Sequence, residues 1–193
     1  MIDQIRTILG DRYGSPGFSD IKFYSSKKNA VASVDNEVIK FFVFGDISKE
    51  SEIYRRCMRA NIRVPDLIYQ KENIMILRLI REQEVNQKEK IKHIFRWLRG
   101  FHEKTGMCKG DQRLHNYIWD GKDLFGIDFE ESYHGNFQQD LAELCVTLLK
   151  EYRSDEIDIM LSEYSADLRV EHLKSLMLEN IRLRRSWNEY ITF

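Results

Sequence analysis

Lys109-Gly110-Asp111-Gln112-Arg113-Leu114-His115-Asn116-Tyr117-Ile118-Trp119-Asp120-Gly121-Lys122-Asp123-Leu124-Phe125-Gly126-Ile127-Asp128-Phe129-Glu130 is the stretch on which the reading of this chain turns. Asp111 and Asn116 belong to a polar loop. Two strand-like runs follow, Tyr117-Ile118-Trp119 and Leu124-Phe125-Gly126-Ile127, separated by the turn signal Asp120-Gly121-Lys122-Asp123. The pattern predicts a short hairpin in which Tyr117 pairs with Ile127, so that Asn116 faces Asp128 at the open end. A tight two-residue Asp-Gly turn would offset that register by three. An amide oxygen and a carboxylate converging beside a second carboxylate is hard-cation chemistry: Mg²⁺ takes oxygen ligands and keeps positions for water and phosphate.

Gly110-Asp111-x4-Asn116, then Ile127-Asp128-Phe129-Glu130, then Asp140-Leu141-Ala142 resembles the catalytic and metal-binding loops of the protein-kinase-like superfamily. The match is to its small atypical branch, which includes RIO-type kinases, the small kinase of the tRNA-modifying KEOPS complex, and aminoglycoside and choline phosphotransferases. The resemblance spans Ile21 to Leu149. It implies an α+β, bilobal fold within a single minimal kinase-like domain: residues 1–80 form a small antiparallel-sheet amino-terminal lobe with one helix and the hinge, and residues 81–193 form a mostly helical lobe. It also implies ATP and Mg²⁺ as cofactors and transfer of the γ-phosphate to a hydroxyl of a protein or small-molecule acceptor. Asp111 would accept or orient the proton of the attacking hydroxyl, and Asn116 and Asp128 would hold Mg²⁺. Arg113 stands where many serine/threonine kinases carry a lysine; it either stabilises the transferring phosphoryl or is an ordinary surface arginine. Asp140 would accept backbone amides from the catalytic loop. Two residues depart from the pattern. Lys109 replaces the usual histidine or tyrosine before Gly-Asp, and Glu130 replaces the glycine after Asp-Phe. A polar hairpin on a helical domain is the alternative that needs no catalysis.

Upstream, Ile21–Tyr24, Ala30–Val34 and Val38–Phe44 are strand candidates. There is no Gly-x-Gly-x-x-Gly in the first turn; Ser25, Ser26 and Asn29 either offer donors to phosphates or form a plain hairpin tip. Alternation places Lys40 on the face of Val38 and Phe42. A helix is expected from Ser48 to Ala60, its apolar stripe running through Ile53, Tyr54, Cys57 and Met58. Continued back one turn, the stripe lands on Glu50, where a desolvated carboxylate needs a cation; Lys40 is the candidate. By resemblance this is the superfamily's lysine–glutamate pair, which positions Lys40 on the nucleotide phosphates. The alternative for Glu50 is charge complementing the helix dipole. Leu67–Gln70 and Ile74–Leu79 read as strands. The resemblance implies that the second enters the hinge, with Leu77 behind the adenine and the Arg78 carbonyl and Ile80 amide on the base; a core strand is the other reading.

Helices are expected over Ile2–Leu9, Gln87–Lys104 (core face Ile91, Ile94, Phe95, Leu98, Phe101 and His102), around Leu141–Leu149, over Glu156–Tyr164 and over Asp167–Arg185. Gly14-Ser15-Pro16-Gly17 is a turn. Trp187, Tyr190 and Phe193 are expected on the core, and Arg182, Arg184 and Arg185 form a small basic cluster. With 193 residues and 42% hydrophobic content the chain can bury a core, while a net charge of −1 excludes a global field for nucleic acid or membrane. Cys57, Cys108 and Cys145 are unpaired in number and spacing, as expected of reduced thiols in a cytoplasmic protein. Neither a signal-peptide core nor a membrane-length apolar run is present in the sequence. The rival functional class is a nucleotide-binding pseudokinase or ATPase module acting through a partner protein, favoured by Lys109 and by the missing glycine-rich turn.

Overall fold

A computed structural model describes residues 21–24, 28–149, 152–164, 168 and 170–191. The expected helix over Ile2–Leu9, the turn at Gly14–Gly17, the tip residues Ser25 and Ser26, and Phe193 lie outside the described residues. So do the first residues of the helix expected from Asp167 and the side chains of Arg184, Arg185, Trp187 and Tyr190. The chain divides into two compact units, one ending at Arg55 and completed by Pro65–Ile80, the other built from Arg56–Val64 and everything from Arg81 onward.

The first unit is a five-stranded antiparallel sheet in the order β1-β2-β3-β5-β4. Its strands are β1 (Ile21–Tyr24), β2 (Ala30–Val34), β3 (Glu37–Phe41), β4 (Leu67–Lys71) and β5 (Ile74–Arg78), with helix α1 (Ile47–Arg59) between β3 and β4. Alternation sorts the side chains. Val34, Ile39, Phe41, Ile74 and Ile76 form one buried cluster, with Ile21 and Ala30 packed against it. Lys40 pairs with Val31 and Met75, and Val38 with Leu77, so Lys40, Met75 and Leu77 share the opposite face.

β3 ends three residues earlier than its apolar run suggests. The Asn29 side chain, 6% exposed, accepts the amides of Val43 at 3.1 Å and Phe44 at 3.4 Å, and Gly45 at φ +95° turns the chain away. The Asn29 side-chain oxygen therefore serves the turn. In α1, Ile53, Tyr54 and Cys57 are buried as expected, but Met58 is 42% exposed and off the stripe.

The second unit carries α2 (Gln87–Thr105), a 3₁₀ turn (Leu114–Asn116), the hairpin β6 (Tyr117–Trp119) and β7 (Leu124–Gly126), α3 (Gln138–Leu148), α4 (Ser154–Ser162) and α5 (Val170–Ile191). Asn86 caps α2 by accepting the Lys88 amide, and Gly106 ends it in the left-handed conformation. All six residues of its expected core face are buried, and Trp97 joins them. α2 packs on β7 and α4, and α3 packs on α5.

The hairpin register differs from expectation by one residue: Tyr117 pairs with Gly126. The loop of residues 120–123 is closed by Asp120, whose carboxylate accepts the Lys122 and Asp123 amides at 2.8 and 2.7 Å and is held below the usual carboxylate range by those bonds. Gly126 is required here, since a Cβ would sit 2.3 Å from the Trp97 ring. Among the described residues no helix is long and apolar enough to cross a membrane.

Candidate active site

In the sheet unit, Lys40 Nζ donates to Glu50 Oε2 at 2.8 Å, with Glu50 1% and Lys40 12% exposed. β3 supplies the lysine one residue before its end, and the first turn of α1 supplies the carboxylate. A carboxylate this buried is tolerable only when paired. The lysine nitrogen also lies 4.9 Å from the centroid of the Phe42 ring. Leu77 is buried, while the Arg78 guanidinium points outward and pairs with Asp66 at 2.8 Å. Ile80, just past β5, is half-buried.

In the helical unit, the loop around Asp111 is built on a buried carboxylate. Asp140, 1% exposed at the start of α3, accepts the Lys109 amide at 2.6 Å and the Gly110 amide at 2.9 Å. His102 Nε2 lies 2.8 Å from the same carboxylate, and Nδ1 lies 2.8 Å from the Tyr164 hydroxyl. As a carboxylate, Asp140 accepts from Nε2, and Nδ1 shares a hydrogen bond with the Tyr164 hydroxyl. His102 is thus a bridge inside the core. Gly110, at φ +68°, lets the loop pass the Glu131 carbonyl, which a Cβ would meet at 2.5 Å.

Asp111 follows at φ +42° and Asp128 stands at φ +61°, two of five described non-glycine residues in the left-handed region, the others being Asp35, Asn61 and Glu72. Such strained backbones cost about 1–3 kcal/mol each and cluster at functional sites. The Asn116 amide donates to the Asp111 backbone carbonyl at 3.0 Å and to Asp111 Oδ2 at 3.2 Å. A carbonyl can only accept, so that face is the NH₂ group and Oδ1 is the side chain's remaining polar atom. Asp111 Oδ1 pairs with Arg113 Nε at 2.8 Å, the guanidinium otherwise open to solvent. The Ile127 amide donates to the Asn116 carbonyl at 3.0 Å, which ties the loop to the segment leading into Asp128.

The donor set fits a hard divalent cation. Carboxylate oxygens of Asp128 and Glu130 lie within 4.8 Å of each other, and Asn116 has an amide oxygen uncommitted to Asp111. In sequence Glu130 registers only as a departure from the pattern; the Asp-x-Glu spacing is the signal that could have marked it.

Lys109 stands out in the sequence as a departure from the motif that favours the pseudokinase alternative, with nothing to mark where its side chain goes. It is fully buried, its nitrogen 3.3 Å from the Asp128 carbonyl and 5.3 and 5.5 Å from the ring centroids of Tyr117 and Phe129. Burial pushes its pKa down, against the pull of Asp128, Asp140 and Asp111. Ser132 Oγ donates to its carbonyl at 2.7 Å, and the Tyr117 hydroxyl donates to Gln112; no sequence signal marks Ser132 or Gln112. Beside the loop, a cavity of about 600 Å³ is lined in part by Glu82, Glu84, Lys90, Ile91, Leu114 and His115.

No protein-family model matches the sequence, and no curated protein matches it. Solved structures do resemble the fold. A choline/ethanolamine kinase family protein from Mesorhizobium loti superposes with a TM-score of 0.69 at 13% identity, covering 100% of this chain and 88% of that one. An ethanolamine kinase of Plasmodium vivax gives 0.64 at 10% identity, covering 89% and 76%. The choline kinase LicA of Streptococcus pneumoniae gives 0.58 at 18% identity, covering 91% and 88%. At these identities the likeness is one of fold: the chain has a protein-kinase-like fold of the choline-kinase type.

Proposed function

We propose that this protein is a small-molecule phosphotransferase that moves the γ-phosphate of Mg-ATP to the hydroxyl of a small alcohol, an amino alcohol being the first acceptor class to test. The observation that carries the reading is the lock of Asn116 on Asp111, in a loop that Asp140 holds by two backbone amides. Phosphoryl transfer asks chiefly for positioning and charge stabilisation, and a rigid loop of this kind meets that demand.

Each residue then has a task. Asp111 orients the acceptor hydroxyl and takes its proton. Arg113, which pairs with Asp111, would steady charge on the transferred group. Asn116 Oδ1 and Asp128, with Glu130 beside it, would hold the metal, which would supply neutralisation of phosphate charge. Lys40, fixed by Glu50, binds phosphate oxygens. Leu77, on the same sheet face as Lys40, packs against the base, and the Arg78 carbonyl and Ile80 amide hydrogen-bond it. On the cavity wall Glu82 is paired with Lys90 at 2.5 Å, so Glu84 is the carboxylate that would favour a cationic acceptor, in keeping with the acceptors named for the structural neighbours.

The test is an ADP-release screen of the purified chain with Mg-ATP against amino alcohols, neutral alcohols and a protein acceptor. Acceptor-dependent release with an amino alcohol is expected. Binding of Mg-ATP without release for any acceptor would favour the module acting through a partner protein.

A further inference from the structure

We infer that Lys109 is a positioning residue for Asp128, its buried side-chain nitrogen holding the Asp128 backbone in the conformation that presents the carboxylate to the metal. The inference rests on the proposed role of Asp128 as a metal ligand. Three observations carry it.

The first is that Lys109 cannot serve solvent or substrate: it is 0% exposed, its amide is tied to Asp140 and its carbonyl to Ser132. The second is the destination of its nitrogen, the Asp128 carbonyl at 3.3 Å, with the Tyr117 and Phe129 rings as neighbours. Phe129 follows Asp128 directly, so the lysine bonds the carbonyl of the peptide that joins them and lies beside the next ring. The third is that Asp128 stands at φ +61°, a sparsely populated region that costs energy even for an aspartate, so a hydrogen bond on its own carbonyl helps to hold it there. A position that served packing alone would be better filled by methionine or leucine, because a buried charge carries a desolvation cost that an apolar side chain of the same shape avoids.

That contrast sets the experiment. The full chain is prepared as wild type, Lys109→Met, Lys109→Arg and Asp128→Ala. Three quantities are compared: thermal stability, affinity for ADP without metal, and affinity for Mn²⁺ in the presence of ADP. Lys109→Met is expected to keep or raise the melting temperature and to leave metal-free ADP binding within about twofold. Its Mn²⁺ affinity should fall at least about tenfold, the range typical of lost supporting contacts at metal sites. Lys109→Arg, which keeps donors and stacks on aromatic rings, should stay within about threefold of wild type.

A folded Lys109→Met that binds Mn²⁺ like wild type, while Asp128→Ala does not, overturns the inference and leaves the proposed function standing. Wild-type Mn²⁺ affinity in Asp128→Ala overturns both. If Lys109→Met does not fold, Lys109→Arg decides: Mn²⁺ affinity within about threefold of wild type supports the role, and a folded arginine variant as weak as Asp128→Ala contradicts it.

Discussion

Replacing Glu50 by alanine removes the carboxylate 2.8 Å from Lys40 Nζ and leaves the lysine 12% exposed. At that distance the direct attraction is about 6 kcal/mol for an effective dielectric of about 20. Desolvation of both ions offsets much of it. Breaking a buried pair on one side costs about 3–5 kcal/mol, and the partial exposure of Lys40 places this case at the low end, about 3 kcal/mol. For a chain of this length that lowers the melting temperature by about 6–12 °C. Turnover should fall further, by about 100-fold, because a displaced lysine no longer meets the phosphates. Glu52 supplies an internal control on the same helix: it is 57% exposed, with Arg55 Nη1 at 3.9 Å, and Glu52→Ala should cost no more than about 0.5 kcal/mol. Both variants are measured by urea denaturation and by steady-state phosphotransfer. A Glu52→Ala variant more damaged than Glu50→Ala, in stability or turnover, would refute the reasoning.

Asp140→Asn keeps the shape but turns an acceptor for two loop amides and His102 into a partial donor. It should cost about 3 kcal/mol and most of the activity, read by denaturation and phosphotransfer together. Gly126→Ala drives a methyl into the Trp97 ring and should destabilise by about 1–3 kcal/mol, with a shift in tryptophan fluorescence. Burial raises the Cys57 and Cys145 thiols to about 12 and the Cys108 thiol to about 11, from 9.0. The folded state therefore holds protons that the unfolded state releases. The stability so gained is complete below pH 9 and is lost as pH rises toward 11–12, by at most about 1.4 kcal/mol per pH unit per thiol. Urea midpoints at pH 8, 9 and 10 should stay level and then fall, less steeply in Cys145→Ala; native thiols should resist disulfide reagents at pH 8.

How much of this is legible in sequence depends on whether the signal is periodic. Glu50 is legible because a carboxylate on an apolar helical stripe demands a cation, and Lys40 lies 2.8 Å away. β2 runs between its expected bounds because Asn29 and the Asp35-Asn36 turn bracket it. β3 overruns in sequence because Phe42-Val43-Phe44 is as apolar as the strand itself, whereas the buried Asn29 side chain that ends it is remote in sequence. The hairpin register slips by one because Asp120 closes a four-residue loop through its own carboxylate, and alternation alone does not fix loop length. The Asp140 anchor of the loop follows from resemblance and the geometry carries it. The burial of Lys109 is invisible, since a lone lysine beside a loop carries no sign of which way it turns.

The most direct measurement is to incubate the chain with Mg²⁺, [γ-³²P]ATP and an amino alcohol, and to identify the labelled product for the wild type, Asp111→Asn and Asp128→Ala. A labelled phosphomonoester of the amino alcohol is expected from the wild type and none above background from either variant. Label recovered in that product at equal rates from Asp128→Ala, or none from a folded wild type that binds Mg-ATP, would contradict this expectation.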